Sequence, residues 1–177
     1  NYRLTEVQAA IAIEQLKKLD EYNKIRIEFA EYLNKNLKRF EFLKTIDGCN
    51  NCNCEKKPNC YSTYYQWPIM FDLKKLGVDI LKVREILNAE GMYFIRAWKP
   101  LYRQPLYQQK KLFKHNYPFD AEPNKSIKTN YHEGSCPNVE WIYENVLLKE
   151  YLRYPTTLDD VKQVETAMEK LNKAITR

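Results

Sequence analysis

From Ala12 onward, apolar residues recur every three or four positions: Leu16, Leu19, Tyr22, Ile25, Phe29, Leu33, Leu37 and Phe40. That spacing predicts one buried stripe on a long helix. Thr5 and Gln8 form its start as a capping box, in which the Thr5 hydroxyl accepts from the Gln8 backbone N–H and the Gln8 side chain reaches back to that of Thr5. Glu14/Lys18, Asp20/Lys24 and Glu31/Lys35 have the spacing to pair along the wet side. The run Ala9-Ala10-Ile11-Ala12-Ile13 departs from this pattern, because it is apolar on every side. Such a turn is expected where a helix is buried all round, so something must pack on more than one of its faces.

After a polar stretch, Tyr61–Phe71 (YSTYYQWPIMF) is rich in aromatic residues and reads as a strand, with Pro68 marking an edge or a bulge. Asp79 can cap a short helix carrying Ile80, Val83, Ile86 and Leu87, which Gly91 would close in the left-handed conformation. Met92–Trp98 follows as a second strand. Residues 99–130 combine prolines, basic residues and aromatics without a period and read as a structured loop region. Pro137 suits the first position of a helix containing Val139 and Ile142. Thr157 caps a closing helix with the stripe Val161, Val164, Met168, Leu171 and Ile175. The predicted fold is α+β: a long N-terminal helix over 1–42, a cysteine-rich loop over 43–60, and a body over 61–177 in which helices pack on one face of a small antiparallel sheet.

With 177 residues, 44% of them hydrophobic, one domain with a sizeable core is expected. No apolar run approaches the ~18 residues of a membrane span, and the start lacks a signal-peptide pattern. The chain reads as soluble and cytoplasmic, with no membrane partner. The net charge of +6 is unevenly spread. No acidic residue lies between Glu90 and Asp120, a stretch that contains Arg96, Lys99, Arg103, Lys110, Lys111 and Lys114. Such a field attracts an anionic partner, and its interleaved aromatics admit a nucleic-acid-binding module as one alternative. No recognised nucleic-acid signature accompanies it, so the reading retained is of a chain without a nucleic-acid partner.

Four of the five cysteines, Cys49, Cys52, Cys54 and Cys60, fall in GCNNCNCEKKPNC. Four thiolates can surround zinc, which would make a small zinc-binding interaction domain a second alternative. The spacing nevertheless lacks the paired C-x2-C knuckles of a zinc site, so a variable loop with no metal is the expectation. Replacing all four with serine is therefore expected to change stability by less than about 0.5 kcal/mol in a denaturant titration. Stoichiometric zinc by elemental analysis, with unfolding on chelation, would reverse that reading. Cys136, ahead of Pro137 and with no histidine motif, is expected to be a buried small hydrophobe.

The opening NYRLTEVQAAIAIEQLKKLDEYNKIRIEFAEYLNKNL resembles the small-domain start of the StrS/DegT-type sugar aminotransferases, an Asn-x-Arg-hydrophobic-[Thr/Ser]-Glu-x-Gln-Ala-Ala helix matched at Asn1, Arg3, Thr5, Glu6, Gln8, Ala9 and Ala10. YYQWPIMFD, the helix ending at Gly91, WKPLYRQPLY, CPNVE and TTLDDV follow in the family's order. The resemblance spans essentially the whole chain. It implies the C-terminal small domain of a fold-type I aminotransferase, with the large domain, its Schiff-base lysine and most of the phosphate cradle lying upstream.

By this resemblance the cofactor of the parent protein is pyridoxal 5'-phosphate, and Asn1 and Arg3 lie near the cofactor phosphate of the neighbouring subunit in a homodimer. Alternatively, Arg3 pairs with Glu6 at the surface. The stretch WKPLYR corresponds to a family loop reading His-Tyr-x-Pro-Leu-His over the substrate. Ala97, Trp98 and Tyr102 stand in for His, Tyr and His, so no histidine contact is carried over. Trp98 and Tyr102 can stack on a ring, and Lys99 and Arg103 can meet a phosphate. Against this stands a reading of Trp98 as core and of the basic residues as a solvated rim. The implied reaction passes an amino group from glutamine or glutamate to a keto-sugar or keto-cyclitol, and no activity is expected from these residues alone. PLYR and CPNVE look closer to the branch acting on keto-cyclitols.

Overall fold

The computed structural model describes residues 2–46, 62–113, 116–127, 130–150 and 152–175. Asn1 and the four clustered cysteines lie outside the described residues, as does the Ile175 side chain. The described residues form a four-stranded antiparallel sheet with seven α-helices, in the order α1 (Glu6–Leu16), α2 (Leu19–Leu37), β1 (Leu43–Thr45), β2 (Trp67–Phe71), α3 (Leu73–Leu76), α4 (Ile80–Ala89), β3 (Ile95–Arg96), α5 (Pro105–Gln109), α6 (Pro137–Asn145), β4 (Val146–Lys149) and α7 (Leu158–Ile175).

The predicted single N-terminal helix is divided. The Lys18 N–H turns back to the Gln15 carbonyl (3.1 Å) and the regular ladder resumes with Tyr22 N–H to Lys18 O (3.1 Å), so one tightened turn separates α1 from α2. Neither proline nor glycine marks the place, and periodicity does not reveal it. The capping box forms as expected, with Gln8 N–H to Thr5 Oγ1 at 3.3 Å and Thr5 N–H to Gln8 Oε1 at 3.0 Å. Glu14 pairs with Lys17 (2.6 Å) rather than with Lys18. α1 buries no residue of its own; Val7 is 70% exposed, Ile11 59%, Ile13 57% and Leu16 68%. The cover that this apolar run calls for is therefore not supplied by the described residues of this chain.

α2 carries the stripe inward. Phe29, Leu33 and Leu37 meet Val161, Val164, Met168 and Leu171 of α7 in one core, together with Trp67, Ile69 and Phe71 of β2, Leu147 of β4, Phe94, and Ile80, Val83 and Leu87 of α4. Alternation along β2 places Trp67, Ile69 and Phe71 under the helices and leaves Pro68 and Met70 half-buried on the other side. There Lys44 and Met70 border an open groove with Trp141 and Asn145 of α6. Tyr32 Oη donates to Glu165 (2.8 Å), and Arg39 pairs with Glu165 (2.9 Å) and Glu169, tying the wet edges of α2 and α7 together.

The sheet order is β1-β2-β4-β3. β2 is thus an inner strand, but Pro68 sits at a local edge of it. β1 ends with Thr45 opposite Ile69, so Pro68 lies past it and faces only β4, opposite Leu148. β1 occupies Leu43–Thr45, where the cysteine-rich loop was expected to begin, and three residues are too few for a periodic signal. The second strand is shorter than Met92–Trp98, being paired only at Ile95 and Arg96. Asp79 caps α4 through the Lys82 N–H (2.8 Å) and Gly91 follows at φ +79°, as predicted. Thr157 and Asp160 form the capping box of α7. Among the described residues no helix is long and apolar enough to cross a membrane.

Candidate functional site

A strap from Trp98 to Arg103 leaves the short strand β3 and tightens into a 3-10 turn at Leu101–Arg103. Its side chains divide between two sides. Trp98 (72% exposed), Lys99 and Leu101 face solvent, whereas Pro100 is buried and Tyr102 and Arg103 turn inward. The core reading of Trp98 therefore gives way. Ala97, at the position of the family's first histidine, is buried and anchors the strap to the sheet through its N–H to Val146 O (3.2 Å).

The inner side is held by carboxylates. The Tyr102 hydroxyl donates to Glu140 Oε1, which also accepts from the Gly134 N–H (2.7 Å). Arg103 pairs with Glu133, with Glu140 (3.6 Å) and with Glu144 (3.4 Å). Gln108 bridges the carbonyls of Tyr102 (2.5 Å) and Tyr131 (2.7 Å). Pro137 at the first turn of α6 sets the helix that presents Glu140 and Glu144 on successive turns. Sequence reasoning missed these acids. The available signal was the charge pattern itself: six basic residues without an acid between Glu90 and Asp120, then acids again from Asp120 onward, Glu133, Glu140 and Glu144 among them.

The same arrangement alters the expected basic field. Arg96 donates to Tyr143 O (2.7 Å) with its guanidinium 3.5 Å over the Tyr143 ring, and Arg103 sits among three carboxylates. Two of the six cations thus face α6 rather than an anionic polymer, which disfavours the nucleic-acid reading. Cys136 is exposed just ahead of α6, correcting the buried placement; α6 has no buried residue, so its start makes no core contact. Among the described residues no group of histidines, cysteines and carboxylates could hold a metal ion, and the four clustered cysteines fall outside them.

The Tyr102 hydrogen bond, and secondarily the Gly134 N–H, hold the Glu140 carboxyl below its usual range against the opposing effect of burial. Burial and the bond to Glu140 push the Tyr102 phenol upward. For a carboxylate lowered on folding, the stabilisation is complete above the unfolded value, about 4.3, and is lost as pH falls through the lower folded one. NMR shifts of the Gly134 amide and the Tyr102 ring are accordingly expected to titrate together, with an inflection below about 4.3. An inflection at or above that value would contradict the contact.

Arg3 lies exposed two residues ahead of Thr5, the N-cap of α1, and far along the sequence from the strap.

Residues 1–119 match the model of the DegT/DnrJ/EryC1/StrS aminotransferase family. The uncharacterized protein MJ1066 of Methanocaldococcus jannaschii is 28% identical over 171 residues, covering 96% of this chain and 37% of that protein. Among solved structures, the aminotransferase TlmJ from Streptoalloteichus hindustanus superposes with a TM-score of 0.67 at 22% identity, covering 97% of this chain and 37% of that one. Helicobacter pylori PseC, an aminotransferase involved in pseudoaminic acid biosynthesis, does so at 0.66 and 22%, covering 98% and 39%. The structural likenesses establish a shared fold, and the chain spans little more than a third of these relatives' length. With two thirds of its residues matched by the family model, the chain belongs to the DegT/DnrJ/EryC1/StrS aminotransferase family.

Proposed function

We propose that this chain is the small-domain portion of an aminotransferase that passes an amino group from glutamine or glutamate to a keto-sugar or keto-cyclitol, working as a cytoplasmic homodimer. The observation that carries this reading is the family match over residues 1–119, which includes the strap. The family depends on pyridoxal phosphate. Bound, that cofactor supplies the electron sink for exchanging an amino group with a ketone. Asn1 and Arg3 would hold its phosphate from the neighbouring subunit, Asn1 as a neutral donor and Arg3 as a charged fork. Trp98 packs its ring against the sugar or cyclitol, and Lys99 meets an anionic group on the substrate. Tyr102 and Arg103, engaged on the strap's inner side by Glu140, Glu133 and Glu144, act on the substrate by setting the strap. The lysine that carries the proton transfers belongs to the upstream domain, so the 177 residues alone are inactive.

The test uses the whole protein that contains this chain and a panel of keto-cyclitols and nucleotide-linked keto-sugars. Trp98→Ala and Lys99→Ala should each raise KM for the accepted ketone about tenfold, the size expected for losing one ring or charge contact. Release of 2-oxoglutarate from glutamate in the first half of the reaction should be unchanged. Equal loss in both halves, or no loss in either, would remove the strap from the substrate.

A further inference from the structure

One carboxylate joins three separate segments. Glu140 of α6 receives the Tyr102 hydroxyl from the strap and the Gly134 N–H from the turn before α6, and its Oε2 lies 3.6 Å from the Arg103 guanidinium. Its side chain is only 13% exposed, whereas Glu133 and Glu144, which also pair with Arg103, are 80% and 52% exposed. Ion pairs made by such exposed groups contribute little, while a charged acceptor shared by two donors in a partly dry site contributes more. The strap's other side-chain restraints are the buried Pro100, the Gln108 bond to the Tyr102 carbonyl (2.5 Å) and the Arg103 pairs with the more exposed Glu133 and Glu144. The strap contains a single 3-10 turn, closed by Arg103 N–H to Pro100 O (3.0 Å) and Gln104 N–H to Leu101 O (2.9 Å), and Trp98, Lys99 and Leu101 point outward without apolar cover. Remove Glu140 and the Tyr102 hydroxyl, Gly134 N–H and Arg103 lose their shared acceptor together.

We propose that Glu140 is the positioning residue of the substrate-covering strap: by gripping Tyr102 and Arg103 from behind, it sets where Trp98 and Lys99 stand. It acts through those residues and does not itself meet substrate. The proposal rests on the substrate-covering role argued above for what the strap covers, but the grip is a property of this chain and can be tested without substrate.

Hydrogen exchange on the 177-residue chain reads the grip directly. Glu140→Ala should lower protection of the Arg103 and Gln104 amides about tenfold or more, as expected for losing a charged hydrogen bond, while amides of β4 hold their protection. Glu140→Gln retains an oxygen acceptor for Tyr102 and Gly134 and should recover much of the loss, whereas Glu140→Met, which fills similar space without that acceptor, should not. With 5-fluorotryptophan incorporated, the Trp98 resonance, assigned by Trp98→Phe, should move in Glu140→Ala and return toward its original position in Glu140→Gln, with Trp67 unmoved. If Glu140→Ala fails to fold, Tyr102→Phe removes one donor alone and should move the Trp98 resonance in the same direction. Unchanged strap protection and an unmoved Trp98 in a folded Glu140→Ala chain, or in Tyr102→Phe, would overturn the proposal. A Trp98 that responds to these variants but whose loss leaves KM for the ketone unaltered would instead overturn the substrate-covering role and leave the grip standing.

Discussion

Replacing Asn34 with leucine is expected to cost the fold about 2–4 kcal/mol, through a nearly isosteric change that opens no large cavity. Asn34 lies on the buried side of α2, only 5% exposed, and its Oδ1 accepts from Trp67 Nε1 at 2.8 Å beneath the sheet. Its Nδ2 reaches the Ile46 carbonyl at 3.2 Å, just past β1, and lies 3.5 Å from the Tyr64 hydroxyl. One amide therefore satisfies the indole of a fully buried tryptophan and pins the exit of β1. Leucine would leave the indole N–H without a partner in a dry core, where an unmade bond costs more than a made one contributes. In thermal unfolding the loss should appear as a fall in Tm of roughly 5–15 °C for a chain of this size. Trp67→Phe removes the donor, and combining the two substitutions should recover part of the summed cost, since neither partner is then left unpaired. Strict additivity, or an unchanged Tm in Asn34→Leu, would show that the bond contributes nothing.

The second large effect concerns association. Leu4, Val7, Ile11, Ile13 and Leu16 leave most of their area open to solvent along α1. An apolar surface of this extent seeks cover, and in the 177-residue chain another copy is available. Self-association through α1 is expected at micromolar concentration, read by sedimentation velocity. Val7→Glu with Ile11→Glu should shift the population to monomer and raise solubility while leaving Tm within about 1 °C, because neither side chain meets the core. A chain that remains associated in the double variant would move the contact elsewhere. Unfolding would mean that these positions are covered within the domain.

How much of this was legible without coordinates differs by element. The closing helix and α4 were readable because their stripes run unbroken between a capping residue and a stop: Thr157 with Val161, Val164, Met168 and Leu171, and Asp79 with Ile80, Val83 and Leu87, ending near Gly91. β1 and β4 were not readable. Three and four residues hold too few turns of any period, and β4 follows α6 without an intervening loop. The opposed environments of α1 and α2 were only half visible, since an apolar helix reads the same whether its cover belongs to this chain or to another. In the candidate site the strap was found through resemblance, whereas its grip was missed because Glu140, Glu133 and Glu144 lie tens of positions from Tyr102 and Arg103. Proximity in space across such intervals leaves no local pattern, only an imbalance of charge waiting to be matched.

The placement of β4 carries a kinetic consequence. It lies between β2 and β3, joining Ile69 to Leu147 on one side and Ile95 to Leu148 on the other, although it is the last strand to be synthesised. The contact between Gln66 and Glu150, at the rim of this pairing, closes an interval of 84 positions. Closing such a loop is entropically costly before any pairing compensates for it, which raises contact order and slows folding. Until residues 146–149 leave the ribosome, β2 and β3 have no common neighbour, and the apolar side of β2 waits for both β4 and α7. The sheet is accordingly completed late: the nascent chain can form its local helices and pair β1 with β2 early, but β3 joins them only once residues 146–149 have been made.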